Sequence, residues 1–226
     1  MKKTSIATAL AVAMFGALPV LASSSDAKTP ASETWRHESY FGTFDRAAVQ
    51  RGYQVYKEVC ASCHSLKYLG FRNLPAIGIS EAEAKAIAAT YTVKDGPNDD
   101  GEMFERPGRL SDKFPSPYAN DKAARAANNG AFPPDLSLII KARANGANYV
   151  NAILTGYADA PADVKLADGM SYNPYFSGAQ IGMPNPLAED QLTFADGTKA
   201  SIKQMSKDVV TFLAWAAEPE LESPAI

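Results

Sequence analysis

Apolar side chains recur at helical spacing in two well-separated segments of this 226-residue chain. A spacing of three and four residues predicts a helix with one buried face. The first helix should begin after Asp45, which is a good N-cap, and its apolar positions are Val49, Gly52, Tyr53, Tyr56 and Val59. The second should begin after Ser201 and end before Pro219, and its apolar positions are Met205, Val209, Phe212, Leu213 and Ala216.

Shorter helices are predicted between these two. Ser80 and Glu83 form a capping box at the start of one, and two others should cover residues 121–128 and 148–156. No alternating pattern typical of strands continues for more than a few residues, and residues 93–120 and 157–200 are rich in proline, glycine and charge. The sequence therefore predicts a mainly α-helical domain with long loop insertions.

Glycine inside the first helix has a cost of about 1 kcal/mol relative to alanine. Gly52 lies on the apolar face of that helix. Two interpretations follow: the glycine allows a second helix to approach closely, which we expect here, or the helix simply tolerates it.

The first predicted helix runs into Cys60-Ala61-Ser62-Cys63-His64, and these are the only cysteines of the chain. Two cysteines three positions apart, followed at once by histidine, are typical of covalent attachment of haem c. Cys-x-x-Cys also occurs in redox dithiols and in zinc sites. A zinc site needs further ligands, and the only other histidine is His37, whereas a redox dithiol does not need His64. The motif therefore favours one haem c, bound through Cys60 and Cys63 and ligated by His64.

The first 22 residues resemble a secretory signal peptide, with a basic start, a short apolar run and a small-residue cleavage site. We expect residues 1–22 to be removed, 23–44 to form an extended N-terminal arm, 45–217 a cytochrome c domain and 218–226 a tail. The net charge is −3, and loss of Lys2 and Lys3 makes it more negative. An acidic protein is a poor nucleic-acid binder and a suitable partner for a basic protein.

Haem iron needs a second axial ligand for electron transfer, and a methionine thioether suits that role. Met183 is the best candidate, because Gly182 lets the backbone approach the haem and Pro184 stiffens the loop. Met170 and His37 are alternatives, as is an open iron. Met205 lies on a helix face and is expected in the core, and Met103 lies in a charged loop.

Several longer stretches, in this order, closely resemble the cytochrome c1 family. They are the haem motif, residues 106–112, 124–131 and 133–137, Asn173-Pro174-Tyr175-Phe176, Ile181-Gly182-Met183, Asp196-Gly197-Thr198, and residues 215–219. The resemblance covers residues 33–219. It implies a cytochrome c fold, in which the N-terminal and C-terminal helices pack around one covalent haem with His64 and Met183 as axial ligands. It also implies that Pro133 and Pro134 line the haem and that Arg143, rather than Arg125, pairs with a propionate.

The same resemblance implies a function and a location. The chain would be the haem subunit of the cytochrome bc1 complex, a quinol:cytochrome c oxidoreductase on the periplasmic face of a bacterial inner membrane. It would associate with cytochrome b, accept an electron from the Rieske iron–sulfur protein and donate it to a soluble cytochrome c. Family members continue into a membrane-spanning helix, which is expected from the family and absent from residues 218–226. The alternatives are a free periplasmic mono-haem carrier and a five-coordinate haem enzyme.

Overall fold

The computed structural model describes residues 27–222, so the expected signal peptide and the last four residues lie outside the described part. Helices predominate. They are α1 (Arg46–Val55), α2 (Glu81–Ala89), α3 (Asp121–Ala127), α4 (Ile139–Ala142), α5 (Gly146–Thr155) and α6 (Ile202–Ala217). Four short strands form two antiparallel pairs, β1 (Thr92–Asp95) with β2 (Phe104–Pro107) and β3 (Ser171–Tyr172) with β4 (Gln180–Ile181). The mainly α-helical prediction is confirmed.

Helices α1 and α6 form the centre of the domain, and both begin at the predicted caps. The Asp45 carboxylate accepts from the backbone N–H groups of Ala47 and Ala48, and the Ser201 hydroxyl accepts from that of Gln204. Helix α6 also packs against α4 and α5. Each cap satisfies N–H groups that the first turn of a helix leaves without a partner.

The two central helices cross at Gly52. A Cβ atom placed on Gly52 would lie 2.0 Å from the backbone oxygen of Asp208 and 2.7 Å from the Cβ of Phe212. The expected close approach of a second helix at this glycine is therefore confirmed. Any side chain at position 52 would force the helices apart.

A buried ion pair lies next to this crossing. Asp208 is 1% exposed, and Arg51 binds it in bidentate fashion, with Nε 2.8 Å from Oδ2 and Nη2 3.0 Å from Oδ1. The Gln204 amide donates to the same carboxylate. Burial raises the pKa of Asp208, although hydrogen bonds from Arg51 and Gln204 oppose this shift. A buried carboxylate is tolerated when its oxygens are fully paired, as these are.

Aromatic rings fill the space between α1, α6 and the segments that follow the haem motif. The ring centroids of Tyr56 and Phe212 lie 5.6 Å apart, and those of Phe71 and Phe114 lie 4.4 Å apart. Trp215 is 1% exposed and packs against Phe212. Burial of each such side chain contributes roughly 1.5–3 kcal/mol.

The predicted loop at residues 93–120 has more structure than its composition indicates. Strands β1 and β2 form a hairpin within it, and Arg106 on β2 pairs with Asp95 and with Asp112, 2.7 Å away. The hairpin has no apolar face that a sequence pattern could reveal. Its side chains are instead joined by ion pairs, from Arg106 to Asp95 and to Asp112. Among residues 27–222, no helix combines the length and the apolar character needed to cross a bilayer.

Gly52→Ala tests the contact between α1 and α6. In an ordinary helix this change stabilises by about 1 kcal/mol. Here we expect the free energy of unfolding to fall by about 3 kcal/mol, because the new methyl group meets backbone atoms that cannot repack. Denaturant unfolding of the purified protein measures this. Ala47→Gly, at an exposed position of the same helix, should cost at most about 1 kcal/mol, and a more stable Gly52→Ala protein would contradict the helix contact.

Candidate haem site

The cysteine–histidine motif begins at the end of α1. The helix continues into a single π-helical turn, Tyr56–Cys60. The N–H groups of Cys63 and His64 then donate to the backbone oxygen of Cys60, at 3.1 and 2.9 Å. This tight turn brings the two thiols and the imidazole close together, as covalent attachment of one porphyrin requires.

Both cysteines are free and half-buried. Burial raises the pKa of the Cys60 thiol to about 12. A redox dithiol needs a nucleophile with a lowered pKa, so the environment of Cys60 disfavours that alternative. Within residues 27–222, no group of three or more His, Cys, Asp or Glu side chains could hold a metal ion such as zinc. Haem attachment is the chemistry that this motif fits.

The ring of His64 is oriented by a single hydrogen bond. Its Nδ1 lies 2.8 Å from the backbone oxygen of Pro134. Because a carbonyl only accepts, Nδ1 carries the proton and Nε2 keeps its lone pair. Burial lowers the pKa of His64, opposed by the bond to Pro134. The histidine is therefore neutral, in the tautomer that can bind iron through Nε2.

Asp135, next to Pro134, joins the two segments on either side of this bond. Its Oδ2 accepts from the Ser65 hydroxyl at 2.7 Å and from the Lys67 N–H at 3.0 Å. Its Oδ1 accepts from the Ser137 N–H at 2.9 Å. Burial raises the pKa of Asp135, but the hydrogen bonds from Ser137, Ser65 and Lys67 outweigh it and hold the pKa below its usual value. Asp135 therefore fixes the position of the Pro134 oxygen relative to His64.

The loop that carries Met183 packs against the same segment. A Cβ atom placed on Gly182 would lie 2.9 Å from the Cβ of Ala131 and 3.7 Å from Sδ of Met170. Ala131 precedes Pro134 by three residues, so residues 131–134 contact both the His64 ring and the Met183 loop. A side chain at position 182 would therefore collide with Ala131, which explains the glycine there. The predicted approach of this loop to the haem stays a prediction.

The phenol of Tyr157 also contacts this loop. Its hydroxyl donates to the backbone oxygen of Met183 at 2.9 Å. Met170 lies beside Gly182, so both predicted methionine candidates are in one place. Met205 is fully buried in the core and Met103 is 63% exposed. The predicted core position of Met205 is confirmed.

The two arginines differ in their surroundings. Arg143 is exposed, and the only hydrogen bond of its side chain among the described residues is to the adjacent Ala142 oxygen, at 3.3 Å. The guanidinium is thus available for a propionate. Arg125 donates to the Gly130 oxygen and lies over the Phe132 ring, with Cζ 5.2 Å from its centroid. Arg125 is therefore already engaged, which favours Arg143.

His37 lies in the N-terminal arm, between two aromatic side chains. Its ring centroid is 5.8 Å from that of Trp35 and 5.5 Å from that of Phe44. Burial lowers its pKa. These contacts make His37 part of the packing between the arm and the domain, as expected for a structural histidine.

The chemistry of the residues present fits a covalent haem. Two free thiols, a neutral imidazole with an available Nε2, a glycine-lined methionine loop and an uncommitted arginine cover every type of contact that the group needs. Sequence reasoning missed Asp135 and Tyr157 as supports. Asp135 has a local signal, because its bond to the Ser137 N–H is an Asx turn. Tyr157 has none, since its partner is 26 residues away in sequence.

Comparisons with known proteins agree with this site. The model of the protein family described as Cytochrome C1 family matches residues 35–224. The chain is 56% identical over 188 residues to "Cytochrome c1 1, heme protein, mitochondrial" of Arabidopsis thaliana, which covers 83% of this chain and 61% of the plant protein. It is 52% identical over 192 residues to "Cytochrome b-c1 complex catalytic subunit, mitochondrial" of Candida albicans, covering 84% of this chain and 67% of that protein.

A bacterial relative is longer. The chain is 47% identical over 249 aligned positions to "Cytochrome b/c1" of Bradyrhizobium diazoefficiens, which covers 98% of this chain and 36% of that protein. The match to the Arabidopsis relative spans about three fifths of that protein's length.

Asp135→Asn tests the network beside His64. Because the pKa of Asp135 is lowered in the folded protein, its stabilisation is complete above the unfolded value of about 3.9 and is lost as pH falls through the folded value. We expect the free energy of unfolding of the variant to be about 2 kcal/mol lower than that of the parent protein at pH 7. This difference should shrink below about pH 4. Denaturant unfolding at several pH values measures it.

The matched control is Asp99→Asn. Asp99 is exposed, and the structure gives its side chain no hydrogen bond or ion pair. This control should leave the pH dependence unchanged. A constant difference between Asp135→Asn and the parent protein from pH 7 to pH 3 would contradict a carboxylate role in the network.

Proposed function

The chain belongs to the cytochrome c1 family, and on that premise we propose that it is the haem-bearing electron-transfer subunit of a cytochrome bc1 complex. The family binds a covalent haem c. The observation that carries the proposal is the bond from His64 Nδ1 to the Pro134 oxygen. This bond leaves the imidazole neutral, with the lone pair of Nε2 available to bind iron. His64 comes immediately after the two cysteines that would hold the porphyrin.

The chain's own residues take distinct roles in this proposal. Cys60 and Cys63 form the thioether bonds, and His64 and Met183 are the axial ligands. Pro133 and Pro134 line the haem, and Arg143 pairs with a propionate. When bound, the haem supplies a one-electron iron couple. A thioether ligand raises the potential of that couple, as an electron carrier near the end of a respiratory chain requires.

The electron would come from a Rieske iron–sulfur protein and pass to a soluble cytochrome c. No bond is made or broken in this subunit, so the role of the protein is to bind, orient and partly bury the haem. The Candida relative is named as a subunit of the cytochrome b-c1 complex and the Bradyrhizobium relative as cytochrome b/c1. Those names support cytochrome b as the partner. The location that we propose, the periplasmic face of a bacterial inner membrane, is supported by the resemblance of residues 1–22 to a secretory signal peptide.

Acidic side chains on the surface provide a dock for a basic cytochrome c. Asp99, Asp100 and Glu102 lie exposed between β1 and β2, and Glu189 is exposed after the Met183 loop. Asp95 and Asp196 are also acidic, but they are engaged by Arg106 and Arg51. Docking is therefore assigned to the acids that no arginine neutralises.

Purification under mild detergent tests the assembly. We expect cytochrome b and a Rieske protein to be recovered with this chain, and the haem of the chain to be reduced when quinol is added. Recovery of a mono-haem protein alone, with no effect of quinol, would support the free periplasmic carrier instead.

Salt dependence tests the docking surface. Oxidation of the reduced complex by a basic soluble cytochrome c should slow by about tenfold or more between low and physiological ionic strength, because salt screens exposed charges. Changing Asp99, Asp100 and Glu102 to their amides should reduce that salt dependence. Oxidation by ferricyanide, an anion, is the control and should not slow with salt. A flat profile with cytochrome c would contradict acidic docking.

Met183→Leu tests the sixth ligand. Loss of the thioether should lower the haem potential by on the order of 100 mV or more, within the roughly 0.8 V that axial ligands span. It should also let the reduced protein bind carbon monoxide. Met170→Leu is the matched control, since Met170 lies beside the same loop, and it should keep both properties. The reverse result would transfer the ligand role to Met170.

A further inference from the structure

Tyr157 holds the main chain of the methionine loop rather than contacting the haem motif. Its hydroxyl donates to the Met183 oxygen at 2.9 Å, and within the described residues this is the only hydrogen bond that Met183 makes. Pro184 follows and has no N–H group, so it cannot donate to the fold on that side. The order of this loop therefore depends strongly on one phenol.

The other end of that bond is rigidly placed. Tyr157 follows Gly156 at the end of α5, and a Cβ atom on Gly156 would lie 2.4 Å from the Tyr175 ring and 2.5 Å from the Ala152 oxygen. Helix α5 is itself joined to α6, because the Ser206 hydroxyl donates to Asn151 Oδ1 at 2.8 Å. The buried Asn173 amide donates to the Ile153 oxygen at 2.8 Å. The phenol thus projects from the residue that directly follows Gly156, the C-cap of the packed helix α5.

Gly182 provides the second fixed point of the methionine loop. It lies against Ala131 with no room for a side chain. With the Gly182 main chain pressed against Ala131 and the Met183 oxygen held by Tyr157, the direction of the Met183 side chain is restricted. Burial raises the pKa of Tyr157, so the phenol stays a neutral donor at physiological pH.

We propose that Tyr157 is a positioning residue for the sixth iron ligand, which it holds in place through the hydrogen bond to the Met183 backbone oxygen. The proposal rests on the proposed function, because it takes Met183 as the axial ligand. Partners that orient a ligand from behind affect how firmly it binds. Without the hydroxyl, the loop keeps its sequence and its thioether but releases the iron more often.

The decisive variant is Tyr157→Phe, made in the full chain and purified with its haem and its partner subunits. One hydrogen bond corresponds to a factor of roughly five to ten in an equilibrium. We therefore expect imidazole, added to the oxidised protein, to bind five- to tenfold more tightly in Tyr157→Phe. The charge-transfer band of the methionine–ferric bond should weaken in parallel. Both readouts are independent of electron-transfer activity.

Tyr175→Phe is the matched control. Its ring packs against the same Gly156, and the structure gives its hydroxyl no hydrogen bond. Imidazole binding and the charge-transfer band should both stay as in the parent protein. If Tyr175→Phe and Tyr157→Phe change imidazole binding and the charge-transfer band equally, the effect is due to packing at the end of α5. The positioning role is then rejected.

Met183→Leu separates this proposal from the proposed function. If that variant binds imidazole no better than the parent protein, Met183 is not the ligand and the assignment of the sixth ligand fails. If Met183→Leu binds imidazole tightly and Tyr157→Phe matches the parent protein, the ligand assignment stands and the positioning role of Tyr157 is overturned.

A second change at position 157 tests the proposal if the Tyr157→Phe protein does not accumulate. Fluorotyrosine at position 157 has nearly the same shape as tyrosine and is a stronger donor. It should weaken imidazole binding relative to the parent protein, the opposite direction to Tyr157→Phe. Unchanged or tighter binding in the fluorotyrosine protein would overturn the proposal.

Discussion

Helix α1 ends in the cysteine–histidine turn, and its position is set by direct contact with the backbone of α6 at Gly52. The positions of Cys60, Cys63 and His64 therefore depend on that contact. The aromatic core fills the space beside the two helices, and Arg51 and Asp208 complete their pairing in the interior. A tightly packed helix pair is stiff because interiors have few voids into which side chains could move. It can therefore hold two thiols and an imidazole in a fixed arrangement.

The second half of the site depends on a short stretch with no regular structure. Residues 131–134 meet the methionine loop at Gly182 and the imidazole at the Pro134 oxygen. Proline restricts this stretch on its own, and Asp135 ties it to the residues after His64. One segment thus contacts both the His64 ring and the loop that carries Met183. Backbone oxygens, close packing and the Asp135 carboxylate together determine the geometry there.

Charge is used in separate ways in the interior and at the surface. Arg51 binds Asp208 and Asp196 and joins distant parts of the chain. Arg106 binds two carboxylates that are near it in sequence, those of Asp95 and Asp112. Arg143 is exposed and binds only the neighbouring carbonyl among the described residues. The acids between β1 and β2 project into solvent without an arginine partner. The paired acids therefore join parts of the fold, whereas the exposed ones are those to which the proposed function assigns docking.

The amino-acid sequence by itself determined the helices, their caps, the haem motif and the glycine at the helix contact. These are local properties, since a cap, an apolar stripe or a Cys-x-x-Cys-His spacing involves residues within one or two turns. The sequence pattern did not reveal the hairpin of β1 and β2, which Arg106 joins to Asp112. Only the tertiary structure decided that Pro134 orients His64, that Asp135 secures Pro134, and that Tyr157 reaches Met183. Those contacts join residues 26 to 70 positions apart, and no periodicity or spacing in a single sequence encodes which distant groups the packing of α1, α5 and α6 will bring together.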